Sequence, residues 1–301
     1  MIPELVQQLQ QGNRKALARC ISLIENEADG YESLLSSVNI NRSVPVIGIT
    51  GPPGAGKSSL LNVIIQHLLI QNDHLQIAVL AVDPTSPFTK GSLLGDRLRM
   101  NSHFNDERVY IRSIATRGAL GGLAAKTVEI TDLLRSAGFH YVFIETVGVG
   151  QSEVEIASLA DTTVVVLVPE AGDEIQALKA GIMEIADVFV INKSDRDGAD
   201  KMMKNLQSAL HKKPFTEWLI PVLKTVALSG DGVLELIEAI KLHQQQRSAE
   251  NKISTLAEQA YRIIQNQRMQ NLSIKQLNTD LMDEIKKGDF NIYAFVKKYK
   301  I

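Results

Sequence analysis

The fold is decided by residues 46–65, which read VIGITGPPGAGKSSLLNVII. The apolar run VIGIT predicts a buried strand, and the apolar run after Lys57 predicts a helix. Between them, Gly51 to Ser58 match the phosphate-loop pattern Gly-x4-Gly-Lys-Ser. Glycines let backbone N–H groups turn toward phosphate oxygens, and the helix N-terminus adds partial positive charge. The stretch therefore predicts a phosphate-binding loop between a strand and a helix.

The side chains of this loop have distinct predicted tasks. Lys57 is expected to reach the β- and γ-phosphates of a nucleotide, and the hydroxyl of Ser58 is expected to ligate Mg²⁺. The residues of this region that we expect to bind the nucleotide are Gly54, Ala55, Gly56, Lys57, Ser58 and Ser59.

The strand at 44–50 is followed by a regular series of apolar runs. They occupy 77–83, 109–115, 141–147, 162–169, 188–195 and 220–228. Most of them are continuous rather than alternating, as in strands that are buried on both faces. Predicted helices separate most of them, at 57–71, 92–103, 122–136, 174–186, 197–211 and 232–246. The alternation predicts a doubly wound, mostly parallel α/β sheet that binds ligands at the carboxyl ends of its strands.

Helical patterns flank this core. Residues 4–29 have apolar spacing typical of one or two helices, with a break near Gly12–Asn13, and the helical spacing resumes after about residue 246. We therefore predict an N-terminal helical segment at 1–40, a phosphate-loop domain at 41–246 and a helical extension at 247–301. The extension either packs on its own sheet or serves as a dimerisation arm.

A second motif indicates which base is bound. Asn192, Lys193, Ser194 and Asp195 follow the apolar run VFVI and match the pattern Asn-Lys-x-Asp. The carboxylate of Asp195 can accept hydrogen bonds from the ring N–H and the 2-amino group of guanine, whereas adenine lacks both donors in that arrangement. The stem of Lys193 can lie against the base, and Asn192 completes the predicted guanine site. After the next strand, the backbone N–H groups of Ala227 and Leu228 are expected to cap the base.

Acidic residues at strand ends, or in the loops that follow, predict the metal site. Asp83 ends the run IAVLAVD, Asp96 lies in the segment TKGSLLGDRLRM, and Glu145 follows YVFI. Mg²⁺ prefers octahedral oxygen ligation and usually retains several waters. We therefore predict that Ser58, Asp83, Asp96 and Glu145 surround Mg²⁺.

The segment 145–148, ETVG, resembles the Asp-x-x-Gly switch of GTPases, with glutamate in place of aspartate. The N–H of Gly148 would contact the γ-phosphate and respond to its loss. In many GTPases a glutamine follows this glycine and orients the attacking water, but Val149 stands here, with Gln151 close by. We therefore expect slow intrinsic hydrolysis that a partner or a rearrangement accelerates. The predicted catalytic residues are Lys57, Asp96 and Glu145.

The composition narrows the class of protein. The 301 residues carry a formal net charge of −2 and contain one cysteine, Cys20. A near-neutral charge gives no global attraction to nucleic acid or anionic lipid, and one cysteine cannot form a disulfide within the chain. The N-terminal stretch MIPELVQQLQQGNRK has no apolar core of the kind found in a secretory signal, and no window reaches 18 consecutive apolar residues, as a membrane-spanning helix would need. We expect a cytoplasmic protein with no nucleic-acid or membrane partner.

Together, the segments GPPGAGKSS, AVDPTSPFTKGSLLGDRLRM, ATRGALGGLA, ETVGVGQSE and PEAGDEIQALKAGIMEIADVFVINKSD closely resemble the MeaB/MMAA/ArgK-type P-loop GTPases. The resemblance covers roughly residues 10–240. It implies a GTPase that chaperones an adenosylcobalamin-dependent acyl-CoA mutase, chiefly methylmalonyl-CoA mutase, by gating cofactor loading and protecting the mutase.

The resemblance also implies further features of this chain. A mobile loop that couples the nucleotide to the mutase falls on 173–179, with Asp173 and Lys179 as its charged pair. Members form homodimers through C-terminal segments, although the C-terminal stretch GDFNIYAFVKKYKI departs from the pattern expected for the family.

Other functions remain open from the sequence. One is a GTPase of the same family that serves another mutase or another target. A metal-delivery GTPase would need clustered cysteine and histidine ligands, whereas this chain has one cysteine and six histidines. A P-loop kinase is disfavoured by the segments NKSD and ETVG.

Overall fold

The computed structural model describes most of the chain. The described residues are 2–83, 100–103, 105–115, 125–146, 155–171, 181–211, 218–247, 249–269, 272–288 and 290–299.

A seven-stranded sheet forms the centre of the described structure. Its strands are β1 (Val46–Thr50), β2 (Ile77–Asp83), β3 (Val109–Ala115), β4 (Tyr141–Thr146), β5 (Thr162–Leu167), β6 (Val188–Asn192) and β7 (Val222–Thr225). The strand order is β3-β2-β4-β1-β5-β6-β7, and all six neighbouring pairs are parallel. Each of the seven predicted strands is therefore present, and the predicted α/β sheet is confirmed.

The helices precede, connect and follow these strands. They are α1 (Ile2–Gln10), α2 (Arg14–Glu25), α3 (Tyr31–Ser37), α4 (Lys57–Gln71), α5 (Ala125–Arg135), α6 (Ile182–Ile185), α7 (Ala199–Leu210), α8 (Val233–Gln246), α9 (Ala249–Met269), α10 (Ile274–Lys286) and α11 (Ile292–Val296). Short 3-10 turns lie at Asn101–His103, Ile156–Ser158, Pro169–Ala171 and Lys297–Tyr299. Among the described residues, no helix has both the length and the apolar character of a membrane span.

The sheet is covered on both faces, as its continuous apolar strands predict. In β5, Val164 and Val166 belong to one apolar cluster with α4 and α8. Val165 and Leu167 belong to a second cluster with α6 and α7. Because successive strand residues face opposite sides of a sheet, this alternation places β5 between two helical layers. The fold is therefore doubly wound.

The strand order determines where a ligand can bind. β1 lies between β4 and β5, although β4 and β5 are consecutive in sequence. The chain thus leaves β1 toward one side of the sheet and crosses to the other side after β4. In open α/β sheets, such a reversal leaves a crevice at the carboxyl ends of the strands. The loop after β1 begins at this point of the sheet.

Gly48, in the middle of β1, allows a close approach from outside the sheet. A Cβ atom added to Gly48 would lie 2.7 Å from Ile156 Cγ1 and 3.0 Å from Ala160 Cβ. The turn Ile156–Ser158 therefore packs directly against β1, and a side chain at position 48 would displace it.

Two helices, α1 and α2, occupy the stretch at 4–29 where the sequence predicted one or two, and an additional helix follows them before the sheet. The predicted break is present, since Gly12 has a φ of 77° and the Asn13 side chain accepts hydrogen bonds from the first backbone N–H groups of α2. The additional helix is α3, which is seven residues long and buries only Tyr31 and Leu34. Its two buried positions are too few to give a recognisable helical period, so the sequence does not predict it.

A buried charge network lies where β1 and β5 begin. Asp161 forms ion pairs with Arg135 and Arg247 and accepts a 2.9 Å hydrogen bond from Val46 N. Arg247 also donates a 2.7 Å hydrogen bond to Thr255 Oγ1. The arginine side chains are 4% and 9% exposed, so this carboxylate is needed to compensate two desolvated cations.

Contacts divide the chain into two compact units, Met1–Thr255 and Leu256–Ile301. The first contains the whole sheet. The second has its own aromatic cluster, in which Phe295 lies 6.2 Å from Phe290 and 5.3 Å from Tyr299, measured between ring centroids. The division of the chain at 40 and 246 that the sequence suggests remains a prediction.

Candidate functional site

The loop after β1 contains three glycines with a positive φ, Gly51, Gly54 and Gly56, and close neighbours constrain the first and the last of them. Gly51 has a φ of 136° and Gly56 a φ of 84°. A Cβ atom on Gly51 would lie 2.0 Å from Val166 O, and one on Gly56 would lie 2.4 Å from Asn192 Nδ2. Only glycine combines this backbone conformation with such close neighbours. The loop can therefore fold tightly against β5 and β6, as expected for a phosphate cradle.

Lys57 begins α4 and turns back across the loop. Its ammonium group donates hydrogen bonds of 2.7 Å to Gly51 O and 2.9 Å to Pro52 O, and the side chain is 6% exposed. These contacts hold a positive charge inside the curve of the loop, next to the N-terminus of the helix. Both features favour phosphate at this position.

Ser58, the second residue of α4, is joined to Glu145 on β4. Ser58 Oγ donates a 2.6 Å hydrogen bond to Glu145 Oε1, and both residues are buried. Because β1 and β4 are neighbours, with Ile49 opposite Glu145, the strand register brings the acid under the first turn of the helix. The structure thus brings together two of the four predicted metal ligands.

The hydroxyl–carboxylate pair is chemically suited to Mg²⁺, which binds oxygen ligands. Asp83 ends β2 beside β4, since Val82 lies opposite Thr146. Asp96 lies outside the described residues. Within the described part of the chain, no three His, Cys, Asp or Glu side chains form a cluster suited to a metal. The predicted Mg²⁺ site therefore rests on Ser58 and Glu145.

Asn192 connects the phosphate loop to the end of β7. Its Nδ2 donates a 2.9 Å hydrogen bond to Ala55 O. Its Oδ1 accepts hydrogen bonds of 3.1 Å from both Thr225 Oγ1 and Ala227 N. Three of the hydrogen bonds available to this amide are therefore made within the protein. The residue braces the site, and its direct contact with guanine remains a prediction.

The loop after Asn192 extends over the phosphate loop. Lys193 has a φ of 56°, and its ammonium group donates a 2.8 Å hydrogen bond to Gly54 O. The backbone N–H of Ser194 donates to Thr225 O at 3.1 Å. Asp195 is exposed, so its carboxylate is accessible to a base.

The turn after β7 carries the last two predicted nucleotide-binding residues. An isolated bridge between Val226 and Asp231 closes it. Ala227 is buried, whereas Leu228, at the tip, is 96% exposed. The N–H of Ala227 donates to Asn192 in this structure, and the predicted cap on the base by this turn stays a prediction.

Several predicted residues cannot be placed. Gly148 and the neighbouring Val149 and Gln151 lie outside the described residues, as do Asp173 and Lys179. Ser59 is described: it lies in the first turn of α4 and is exposed.

Three threonines complete the frame of the site, and none of them is a defining residue of a sequence motif. Thr50 and Thr146 end β1 and β4, and their hydroxyl oxygens are joined by a 2.9 Å hydrogen bond in a fully buried position. Thr225 ends β7 and donates to Asn192. Each is a hydroxyl at the carboxyl end of a strand, and this is a signal that a sequence search could use.

Comparisons with known proteins match this geometry. The family model described as "Methylmalonyl Co-A mutase-associated GTPase MeaB" matches residues 17–283. A Pyrococcus horikoshii protein that is named provisionally as a GTPase is 47% identical over 248 residues, covering 81% of this chain and 78% of that protein. The Escherichia coli protein named GTPase ArgK is 37% identical over 250 residues, covering 79% of this chain and 75% of that protein.

A solved structure has the same fold. The crystal structure described as an LAO/AO transport system kinase superposes with a TM-score of 0.68 at 27% identity. The alignment covers 99% of this chain and 96% of that one. The similarity therefore extends beyond the phosphate-loop core.

Proposed function

Because the chain belongs to the family of methylmalonyl-CoA mutase-associated GTPases, we propose that it is a GTP-dependent chaperone of an adenosylcobalamin-dependent acyl-CoA mutase, namely methylmalonyl-CoA mutase. The binding and hydrolysis of GTP follow from membership of the family. In the proposed role, the bound nucleotide gates the loading of the cofactor and protects the mutase from inactivation. The support for this partner is the family description.

One observation favours a guanine-nucleotide switch over a kinase. The side chain of Asn192 contacts both Ala55 in the phosphate loop and Ala227 in the turn after β7. This bridge joins the predicted phosphate site and the predicted base site into one frame. An arrangement of this kind suits a protein that reads phosphate and guanine together, with Asp195 as the base reader.

In the proposed site, each residue near the phosphates has a defined role. Lys57 exchanges its two carbonyl partners for oxygens of the β- and γ-phosphates. Ser58, Asp83, Asp96 and Glu145 would hold Mg²⁺ directly or through water. When bound, the ion would neutralise charge that develops between the β- and γ-phosphates. Glu145 orients Ser58 through their hydrogen bond.

We further propose that hydrolysis depends on a partner. Gly148 would contact the γ-phosphate, and Val149 occupies the position where many GTPases have a glutamine that orients water. A partner, or a rearrangement that brings in another group such as Gln151, would complete the hydrolytic site. Asp173 and Lys179 would transmit the nucleotide state to the mutase.

The C-terminal unit supports a proposal of homodimerisation. On α10, Ile274 and Met282 are each 64% exposed and Ile285 is 56% exposed. On α9, Leu256 and Ile264 are also exposed. Large exposed apolar patches usually mark interaction surfaces. We propose that residues 247–301 form an arm that a second copy of the chain covers.

Two alternative functions would require different partners or different binding residues. A GTPase of the same family that serves a different mutase or target would share the entire site described above, so only identification of the partner separates the two. A metal-delivery GTPase would need metal-binding side chains, and the only cysteine, Cys20, is buried among the N-terminal helices.

Base recognition is tested with an Asp195→Asn variant. The amide offers one acceptor oxygen beside a donor group, which suits the carbonyl at position 2 of xanthine better than the amino group of guanine. We expect GDP binding to weaken at least about tenfold and XDP binding to strengthen. The measurement is competition of GDP and XDP against a fluorescent nucleotide, and an unchanged preference would refute the role of Asp195.

The partner is tested by capture from an extract of the native host. The tagged protein is incubated with the extract in the presence of a non-hydrolysable GTP analogue, GDP or no nucleotide. We expect nucleotide-dependent recovery of a cobalamin-dependent mutase, and the purified mutase should accelerate GTP turnover. The Lys57→Ala variant, which should not distinguish the nucleotides, is the control. Nucleotide-dependent recovery of a different protein without a mutase would refute the proposed partner and favour the alternative target.

A further inference from the structure

Glu170 and Arg196 form an ion pair between two loops at the carboxyl edge of the sheet. We propose that Glu170 is a positioning residue for guanine recognition, which acts through Arg196 on the loop that presents Asp195. The inference rests on the guanine-reading role proposed for Asp195. It adds a residue that lies 26 positions away from Arg196 in sequence and belongs to neither nucleotide motif.

The first half of the base-reading loop is fixed from the phosphate side and from β7. Lys193 adopts a left-handed φ of 56° and bonds to Gly54 O, and Ser194 N bonds to Thr225 O. A non-glycine residue rarely adopts this backbone conformation unless its surroundings enforce it. These contacts therefore hold the backbone of Lys193 and Ser194, the two residues that precede Asp195.

The second half of the loop is held by the segment after β5. Arg196 follows Asp195 and pairs with Glu170, while a Cβ atom on Gly198 would lie 3.8 Å from the ring of Pro169. Pro169 and Glu170 belong to the 3-10 turn Pro169–Ala171, which follows a fully buried strand. Glu170 therefore lies three residues beyond the end of a buried strand, and its attraction for Arg196 acts one peptide unit away from Asp195.

Because both side chains are charged, the contact between Glu170 and Arg196 should depend on salt concentration. The side chains of Glu170 and Arg196 are 50% and 52% exposed, so salt should weaken their attraction. The hydrogen bond from Arg196 lowers the pKa of Glu170, so the carboxylate is ionised and the pair is intact at neutral pH. We expect its loss to weaken guanine-nucleotide binding about three- to fivefold, which lies in the upper part of the range for an exposed ion pair.

The experiment measures GDP and XDP binding to Glu170→Ala, Arg196→Ala and the double variant. Each single variant should weaken GDP binding about three- to fivefold, and the double variant should be no weaker than either. The charge-exchanged variant Glu170→Arg/Arg196→Glu should recover most of the loss. At about 0.5 M salt the loss should shrink, because exposed charges are screened. Asp283→Ala, which breaks the exposed ion pair with Lys286 in the C-terminal unit, is the matched control.

The same substitutions in an Asp195→Asn background distinguish a failure of the role of Glu170 from a failure of the proposed guanine site. If Glu170 acts through Asp195, Glu170→Ala should weaken GDP binding no further in that background. Two results would overturn the inference and leave the role of Asp195 intact. One is that Glu170→Ala weakens GDP binding in the Asp195→Asn background by as much as it does alone. The other is that neither Glu170→Ala nor Arg196→Ala changes GDP binding. If Asp195→Asn itself leaves the preference for GDP over XDP unchanged, the proposed guanine site fails instead.

Discussion

Ser58 and Glu145, 87 residues apart in sequence, are joined by a 2.6 Å hydrogen bond between two buried side chains. Ser58 belongs to the helix that follows the phosphate loop, and Glu145 lies near the end of β4, just before the predicted switch glycine. The predicted metal ligand and the predicted switch thus share one contact. A movement at the end of β4 would change the position of the hydroxyl that we expect to bind Mg²⁺.

Replacing Ser58 by alanine should raise the Mg²⁺ concentration that GTP turnover requires. The substitution removes one expected metal ligand and the hydrogen bond that orients Glu145. We expect at least about a tenfold increase in the half-maximal Mg²⁺ concentration. The measurement is phosphate release during a Mg²⁺ titration. Ser59→Ala, one residue along the same helix and exposed, should leave the Mg²⁺ requirement unchanged, because Ser59 is not among the predicted metal ligands. Equal Mg²⁺ requirements for both variants would contradict the assignment.

Lys57→Ala should reduce GTP turnover by about 100-fold or more, because it removes the charge aimed at the transferred phosphate. Single-turnover phosphate release is the appropriate measurement. Loss of the ammonium also removes the hydrogen bonds to Gly51 O and Pro52 O, so the thermal midpoint of the variant must be compared with that of the unmodified protein. Turnover at the normal rate in a folded variant would rule out this role.

Gly48→Ala should destabilise the protein by about 1–3 kcal/mol. The added methyl group would lie 2.7 Å from Ile156 Cγ1, in a fully buried position. Urea unfolding measures the change. The double variant Gly48→Ala/Ile156→Ala should be more stable than the sum of the two single effects predicts, because the second change makes room for the first. Strict additivity would show that the close approach at this position does not carry the effect.

Asp161→Asn should cost about 3–5 kcal/mol of unfolding free energy. It removes the negative charge that compensates Arg135 and Arg247, whose side chains are almost fully buried. The control is Asp283→Asn in an exposed pair with Lys286, which should change stability by less than about 0.5 kcal/mol. Denaturant unfolding measures both changes. An equal shift of the midpoint in Asp161→Asn and Asp283→Asn would contradict the role of the buried network.

Cys20 should make stability depend on pH in the alkaline range. Burial raises the pKa of this thiol to about 11, above its usual value of 9.0. An acid whose pKa is higher in the folded state favours folding below its unfolded pKa, and this contribution is lost as pH rises from about 9 toward 11. As pH rises over this range, the unfolding free energy of the unmodified protein should therefore fall more steeply than that of Cys20→Ala. The two slopes should differ by up to about 1.4 kcal/mol per pH unit. Parallel pH profiles would refute this.

The sequence was most informative where a physical pattern repeats along the chain. The predicted strand at 77–83 and helix at 57–71 have the same bounds in the structure, because apolar runs and glycine-rich boundaries are local signals. The Gly-x4-Gly-Lys-Ser pattern likewise placed the loop at its observed position. The helix α3 was missed because it is short, and the predicted helix at 92–103 is described only from residue 100 onward.

The site was less predictable because its contacts join distant segments. No local pattern shows that Asn192 holds the phosphate loop, since the partner carbonyl belongs to Ala55, 137 residues away. No sequence pattern predicts the ion pair of Glu170 and Arg196 either, because both are ordinary charged residues that belong to no motif. Motifs identify which residue types are present, whereas the strand order of the sheet determines which of them meet.

The position of Arg247 has a consequence for shortening the gene product. A boundary after Gln246 follows the change in sequence pattern, but it would remove a cation from the Asp161 network and the helical turn that carries Thr255. A chain that ends after Thr255 would retain both partners of Arg247 and coincides with the contact boundary between the two units. For separate expression of the nucleotide-binding part, the stop codon therefore belongs nine codons further downstream than the sequence pattern suggests.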